Sequence, residues 1–241
     1  MELERYSRQI LLPQIGPAGQ ARLAGSRALV IGAGGLGSTL LHCLAGAGVG
    51  RIGIIDGDTV SESNLNRQFL FTPADLGREK ALAAAERLSA LNPHVQYEPQ
   101  CLRVTPMNVR KLVAGWDVVI LAVDNIETRL SVNRACCKAG TTLLNGGVEG
   151  FYGVLQIVEP GVTPCLECLY AGRPENQADA VPSLGAAVAV VSSLMADAAI
   201  VLLLGLPNPL KNDLLCIDGE SLTFGRAEIS RGNACPACAG M

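Results

Sequence analysis

Arg27-Ala28-Leu29-Val30-Ile31-Gly32-Ala33-Gly34-Gly35-Leu36-Gly37 decides the fold. A short run of aliphatic residues ends in G-x-G-x-x-G, and an Ala- and Leu-rich helical pattern follows at once. Glycines at this junction let backbone N–H groups approach a phosphate, and the N-terminus of the helix favours its negative charge. Nineteen residues after Gly37, at the end of the next apolar run, stands Asp56. A carboxylate in that position commonly receives ribose hydroxyls. Taken alone, the motif reads either as a nucleotide site or as a tight structural turn. The ordered strand, helix and acid favour the nucleotide.

Outward from this turn the chain alternates β-branched runs with helical segments. The spacing predicts strands at 27–32, 51–56, 95–103, 117–122 and 142–146, with helices at 35–47, 78–91, 107–114 and 126–139. That is the pattern of a doubly wound α/β domain with a mostly parallel sheet. Beyond Gly147 the pattern changes to a strand at 151–159, a cysteine pair, a polar loop at 172–182, an apolar segment at 183–205 and an antiparallel pair within 214–229. Composition does not break between the two parts. Residues 1–241 read as a single domain, 1–147 nucleotide-binding and 148–241 an extension.

Asp56-Gly57-Asp58-Thr59-Val60-Ser61-Glu62-Ser63-Asn64-Leu65-Asn66-Arg67-Gln68 puts an arginine and carboxamides just past the nucleotide-binding strand, and Lys80 opens the following helix. Two cations near a phosphate-binding turn suit a reaction that breaks a phosphoanhydride and neutralises the charge that develops. The strand 117–122 runs into Val123-Asp124-Asn125, at the sheet edge where ligands bind in such folds. Asp124 there can hold Mg²⁺ against a triphosphate, while the alternative for Asp124 or Asn125 is capping the next helix. A nicotinamide-dependent oxidoreductase shares the glycine turn, but the segment after Asp56 lacks the look of a hydride-transfer site.

Four of the nine cysteines form two C-x-x-C pairs, Cys165/Cys168 and Cys235/Cys238. Two such knuckles make a closed tetrahedral Zn²⁺ site, structural because it leaves no open position. A redox motif is the alternative, although redox C-x-x-C motifs come singly. Cys43, Cys101, Cys136, Cys137 and Cys216 lie in apolar contexts and read as buried small hydrophobes. His42 and His94 have no partner spacing that suggests histidine-based catalysis.

Bulk properties set limits. The chain has 241 residues, 49% hydrophobic and 17% charged, with a formal net charge of −3. This excludes a disordered chain and makes nucleic acid an unsuitable partner. No signal segment opens the sequence, so a cytoplasmic protein is expected. The 183–205 segment is long enough to cross a bilayer, but its alanines, its serines and its lack of flanking Lys or Arg read as a buried helix and no membrane association.

Together these residues resemble the E1-like adenylating enzymes of the ThiF/MoeB/HesA group, which activate sulfur carriers. The resemblance runs from Tyr6 to Cys238. It takes in the opening Arg5-Tyr6-Ser7-Arg8-Gln9-Ile10, the glycine turn, Ser63-Asn64-Leu65-Asn66-Arg67-Gln68, Lys80, Asp124-Asn125 and both cysteine pairs. It implies a Rossmann-like fold in which Gly32, Gly34, Gly35, Gly37, Asp56 and Asp58 lie at the ATP, with Asn64, Arg67, Gln68, Lys80 and Asn125 also contacting it. Asp124 would take Mg²⁺. It further implies a homodimer in which Arg8 reaches the other protomer's active site, a ubiquitin-like sulfur-carrier protein ending in Gly-Gly as substrate, and an external sulfur donor. The reaction would join the carrier's C-terminal carboxylate to AMP and release pyrophosphate. Thiamine-type members carry a cysteine after the first zinc pair that links covalently to the carrier, and here that place falls on Ala180. A catalytically silent scaffold is the remaining reading, and the retained Arg8, Arg67, Lys80 and Asp124 argue against it.

Overall fold

The computed structural model describes residues 3–170 and 181–239. Ala180, and with it the segment that would decide the covalent step, lies outside the described residues. In chain order the helices are α1 (Ser7–Ile10), α2 (Gly16–Ala24), α3 (Gly35–Ala47), α4 (Lys80–Leu91), α5 (Val109–Val113), α6 (Ile126–Ala139), α7 (Leu166–Tyr170) and α8 (Gly185–Leu203). The strands are β1 (Arg27–Ile31), β2 (Arg51–Ile55), β3 (Gln96–Gln100), β4 (Val118–Leu121), β5 (Thr142–Glu149), β6 (Tyr152–Val158), β7 (Asp213–Asp218) and β8 (Thr223–Glu228).

All eight strands lie in one sheet, in the order β3-β2-β1-β4-β5-β6-β7-β8. The first five pair in parallel, as the alternation of strand and helix predicts. From β5 onward every pairing is antiparallel, which is the predicted C-terminal extension. Between β1 and β4 the winding reverses direction, opening a crevice at their carboxyl ends where ligands bind in doubly wound sheets.

The buried residues of the inner strands turn to one of two cores. Val30, Ile120 and Leu144 pack with α3, α4 and α8, while Leu29, Ile31, Val119, Leu121 and Leu143 pack with α5, α6 and α7. Burial on both faces is why these strands read as continuous apolar runs and not as alternating ones. The apolar helix α8 has the length and composition of a membrane span, yet Val188, Val191, Met195, Ala199 and Leu203 share a core with Leu36, Leu40 and Leu44 of α3. It is a core helix of the fold.

Several boundaries differ from the sequence reading. β3 stops at Gln100, short of 103, because it is the outer strand and carries Pro99, which donates no ladder hydrogen bond. α4 begins at Lys80 because Glu79 still bridges Thr59. α5 is cut to Val109–Val113. The Asn108 amide is spent on Thr105 N–H and Arg103 C=O, and Gly115 takes a φ of +82° just past the helix. Helices α1 and α2 are not among the predicted elements; Pro17 occupies the first turn of α2, where no N–H is needed.

Candidate active site

The glycine turn is built by close approach. Gly32 has φ +99°, and a Cβ there would come within 2.5 Å of Ala122 C=O at the end of β4. At Gly37 a Cβ would fall 2.0 Å from Gly32 C=O, so α3 can begin this close to β1 only without a side chain. Gly34 is the N-cap residue of α3 and Gly35 its first residue. Asp56, expected to face ribose, uses one carboxylate oxygen to accept Ala33 N–H at 2.7 Å and the other to accept Asp58 N–H at 2.8 Å. It therefore ties the turn to the end of β2.

The 61–68 segment lies against this turn. The Asn64 side chain accepts Ser61 N–H at 3.2 Å, capping its own short helical turn. Arg67 lays its stem beside Gly35, with Cγ 3.7 Å from where a Cβ would stand, and Nη1 donates to Ser63 C=O at 2.8 Å and to the Asn66 side chain at 2.9 Å. Gln68 is 4% exposed; its Nε2 lies 3.6 Å from a Gly34 Cβ position, while its buried Oε1 has no hydrogen-bond partner. The N-terminus of α8 closes the segment from outside, with Asn66 C=O 2.4 Å from a Gly185 Cβ position.

Lys80 is brought in by the 56–60 segment after β2, where Thr59 bridges Glu79. Its N–H donates to Asp58 C=O at 3.0 Å, and its buried Nζ stands 3.6 Å from Asp58 Oδ2. Asp58 also pairs with Arg103 at 2.8 Å, so in this state it is a partner of cations. Across the crevice, Asp124 is exposed just past β4. The capping role is taken by Asn125, whose side chain accepts Thr128 N–H at 2.8 Å. The Asp124 oxygens are thereby left for a ligand, as a cation site requires.

Two features were missed in the sequence. Arg129, on α6, is buried and grips Val123 C=O, the Asn145 side chain and Gly146 C=O. Only its position one turn past Asn125 could have drawn attention to it. Asp75 is buried among Arg78, Arg87 and Thr72 and fixes the loop that delivers Lys80. In the opening motif, Tyr6 packs on Gly48 and accepts from Asn92 at 2.8 Å, and Gln9 donates to Ala47 C=O at 2.9 Å. These two anchor the segment, while Arg8 stands exposed with no hydrogen bond or ion pair among the described residues.

The four paired cysteines converge although they are far apart in sequence. Their sulfurs all lie within 4.8 Å of one another. Cys165 is 3.9 Å from Cys168 and 3.6 Å from Cys235, and Cys168 is 3.6 Å from Cys238. A Zn–S bond of about 2.3 Å in a tetrahedron gives S···S of about 3.8 Å, so the cluster fits zinc. A fifth thiol, Cys137, lies in the same core beside the cluster and donates to the Asn133 side-chain oxygen at 4.0 Å, and that oxygen also accepts Leu166 N–H at 3.0 Å next to Cys165. Among the other cysteines, Cys136 and Cys137 are buried as expected, but Cys101 is exposed because β3 ends before it.

The sequence matches the ThiF family over residues 6–237. It is 41% identical over 248 residues to a Thermus thermophilus protein named sulfur carrier protein adenylyltransferase, spanning 98% of this chain and 91% of that one. It is 39% identical over 243 residues to the SAMP-activating enzyme E1 of Haloferax volcanii, spanning 98% and 89%. In fold it is similar to Escherichia coli MccB crystallised with MccA-N7isoASN, with a TM-score of 0.88 at 24% identity over 100% of this chain and 75% of that one.

Proposed function

The chain belongs to the ThiF family, and on that premise we propose that it is a cytoplasmic adenylyltransferase acting on a ubiquitin-like sulfur-carrier protein with a C-terminal Gly-Gly. The carrier's terminal carboxylate attacks the α-phosphorus of ATP. A carboxylate O–P bond forms, the bond from that phosphorus to the bridging oxygen of pyrophosphate breaks, and an acyl-adenylate results. An external sulfur donor then displaces AMP.

The observation that supports this reading is the packing of Arg67 and Gln68 on the glycine turn at the end of β1, with Asp56 and Asp58 linking that turn to Lys80 and with Asp124 just past the adjacent β4. The chemistry asks for little else. The attacking carboxylate is already deprotonated at neutral pH, so no general base is needed, and the absence of a histidine from these groups is no obstacle. Positioning and charge neutralisation do the rest. The backbone N–H groups of the turn hold phosphate, Arg67 and Lys80 face the charge moving onto pyrophosphate, and the unpartnered Gln68 Oε1 takes a donor from the nucleotide. Mg²⁺ held by Asp124 would neutralise phosphate charge. Arg8, without a hydrogen bond or ion pair among the described residues, completes the site of a second copy in a homodimer, with residues 148–241 receiving the carrier. Zn²⁺ bound by Cys165, Cys168, Cys235 and Cys238 is structural.

The test is carrier-dependent ATP–pyrophosphate exchange. Arg67→Ala and Asp124→Ala each reduce it at least about a hundredfold with the melting transition kept. Full exchange in both variants, or stabilisation by NAD and not by Mg-ATP in a thermal-shift panel, removes the assignment.

A further inference from the structure

Arg129 runs from α6 back beneath the carboxyl end of β4 and the middle of β5 and is only 6% exposed. Nη1 donates to the Asn145 side-chain oxygen and, at 2.7 Å, to Gly146 C=O; Nη2 donates to Val123 C=O. Val123 lies just past β4, Asn145 and Gly146 lie within β5 beside the last residue of β4, and none of the three acceptors is a carboxylate. Among the described residues, no carboxylate lies within ion-pair distance of this guanidinium.

That arrangement is costly for a residue that only fills space. Burial disfavours the charge and pushes the Arg129 pKa down, against the pull of Tyr170 and Asp124. Elsewhere this chain supplies buried charge with its counter-ion, as Asp75 has Arg78 and Arg87. An apolar side chain of like volume would serve a purely structural need at least as well. What the guanidinium does that an apolar group cannot is grip the Val123 carbonyl. Val123 is joined by that same peptide to Asp124, and the other arm of the fork is fixed to β5.

We infer that Arg129 is a positioning residue for Asp124: by clamping the Val123 carbonyl to the middle of β5, it holds the Asp124 carboxylate where Mg²⁺ of the bound nucleotide is received. The inference rests on the Mg²⁺ role proposed above for Asp124. Its geometric demand is specific. A planar fork reaches acceptors on two strands at once, whereas a lysine ammonium cannot span them in the same way.

The experiment measures ATP affinity by calorimetry, once with Mg²⁺ and once with EDTA, for the wild type, Arg129→Gln, Arg129→Lys and Asn145→Ala. The quantity read is the ratio of the two affinities, which a merely structural role would leave alone. Arg129→Gln lowers the ratio about tenfold, the usual cost of removing an outer partner of a metal ligand, while ATP affinity in EDTA stays near the wild-type value. Arg129→Lys does not restore it. A folded Arg129→Gln with the wild-type ratio overturns the inference. So does an equal loss with and without Mg²⁺, which would mean that the charge acts on the nucleotide directly. Should Arg129→Gln fail to fold, Asn145→Ala decides, since it keeps the guanidinium and removes one acceptor: the ratio falls about threefold, and an unchanged ratio overturns the inference. A wild type that binds ATP equally well in EDTA removes the Mg²⁺ reading itself, a different failure from a wild-type ratio that Arg129→Gln leaves intact.

Discussion

Asp56 holds Ala33: the carboxylate at the end of β2 accepts the backbone N–H in the middle of the glycine turn at 2.7 Å. An acid expected to await a ribose is thus part of the scaffold that shapes the phosphate-binding loop. Its second oxygen accepts Asp58 N–H at 2.8 Å, and Asp58 faces Lys80. One carboxylate therefore links the turn to the segment that carries the lysine, and lone pairs remain on both oxygens for a nucleotide.

Replacing Asp56 by Asn tests this link. The amide offers one acceptor oxygen where the carboxylate offers two, so either Ala33 or Asp58 N–H faces an NH₂ group. A lost hydrogen bond to a charged acceptor costs about 2 kcal/mol, which predicts a roughly tenfold or greater loss of ATP affinity together with a lower melting temperature. Calorimetric titration checks it; ATP affinity equal to the wild type would show that the turn keeps its shape without Asp56.

Asp75 predicts an acid-sensitive loop. Burial pushes its pKa up, but Thr72 N–H, the Arg87 guanidinium, the Thr72 hydroxyl and the Arg87 charge outweigh that and hold it below the usual carboxylate range. A folded pKa below the unfolded one gives stability that is complete above about pH 4 and is lost as pH falls through the folded value. Asp75→Asn therefore destabilises by about 3 kcal/mol at pH 7, and the gap to the wild type closes in acid. Urea titrations at pH 7 and pH 3 read both; a gap independent of pH would contradict the ion-pair account.

While their order in the sheet came only with the fold, the strands of the parallel core were legible because β1, β2, β4 and β5 are buried on both faces and carry unbroken aliphatic runs. So were the glycine turn and the cysteine pairs, whose spacings are local. Arg129 and Asp75 were not, because each acts through partners that only the fold supplies, such as Val123, Asn145 and Gly146 for Arg129. The same limit explains Asn125 and Asn64. Both sit in motifs that read as ligand contacts, and both spend a side-chain oxygen capping a local turn. Cys101 was read as buried since the strand was drawn past Gln100.

The zinc cluster predicts one metal ion per chain, found by elemental analysis of freshly purified protein. Cys165, Cys235 and Cys238 belong to the core on the α5–α6 face, so metal loss opens that face as well as freeing the C-terminal segment. Chelation or Cys238→Ser lowers the melting temperature by about 10 °C or more. A disulfide that forms readily within either pair, or protein without zinc, would contradict the structural role.

The last prediction concerns covalent catalysis. The family resemblance puts the covalent cysteine of thiamine-type members at Ala180, so any enzyme–carrier conjugate is expected to need one of the five thiols outside the paired cysteines. By sequence, Cys136 and Cys137 stand out because they follow Asp124. The fold removes both: they are buried on α6, burial pushes the Cys136 thiol up to about 12, and the Cys137 thiol is raised by the neighbouring Cys165 and by burial. Cys43 is raised by burial and by Asp197. Cys101 is exposed but is raised by partial burial of its thiol and by Glu79. Thiolate is the nucleophile, and a raised pKa leaves little of it at neutral pH. Carrier, Mg-ATP and enzyme incubated together should therefore give a carrier adenylate and no conjugate in non-reducing mass spectrometry. Exchange of pyrophosphate should survive replacement of Cys43, Cys101, Cys136, Cys137 or Cys216 by alanine, with Cys136→Ala and Cys137→Ala costing stability alone. A thiol-labile conjugate that disappears with Cys101→Ala or Cys216→Ala would put the covalent step on the outer strands, and sulfur would then reach the carrier through the enzyme and not from an external donor.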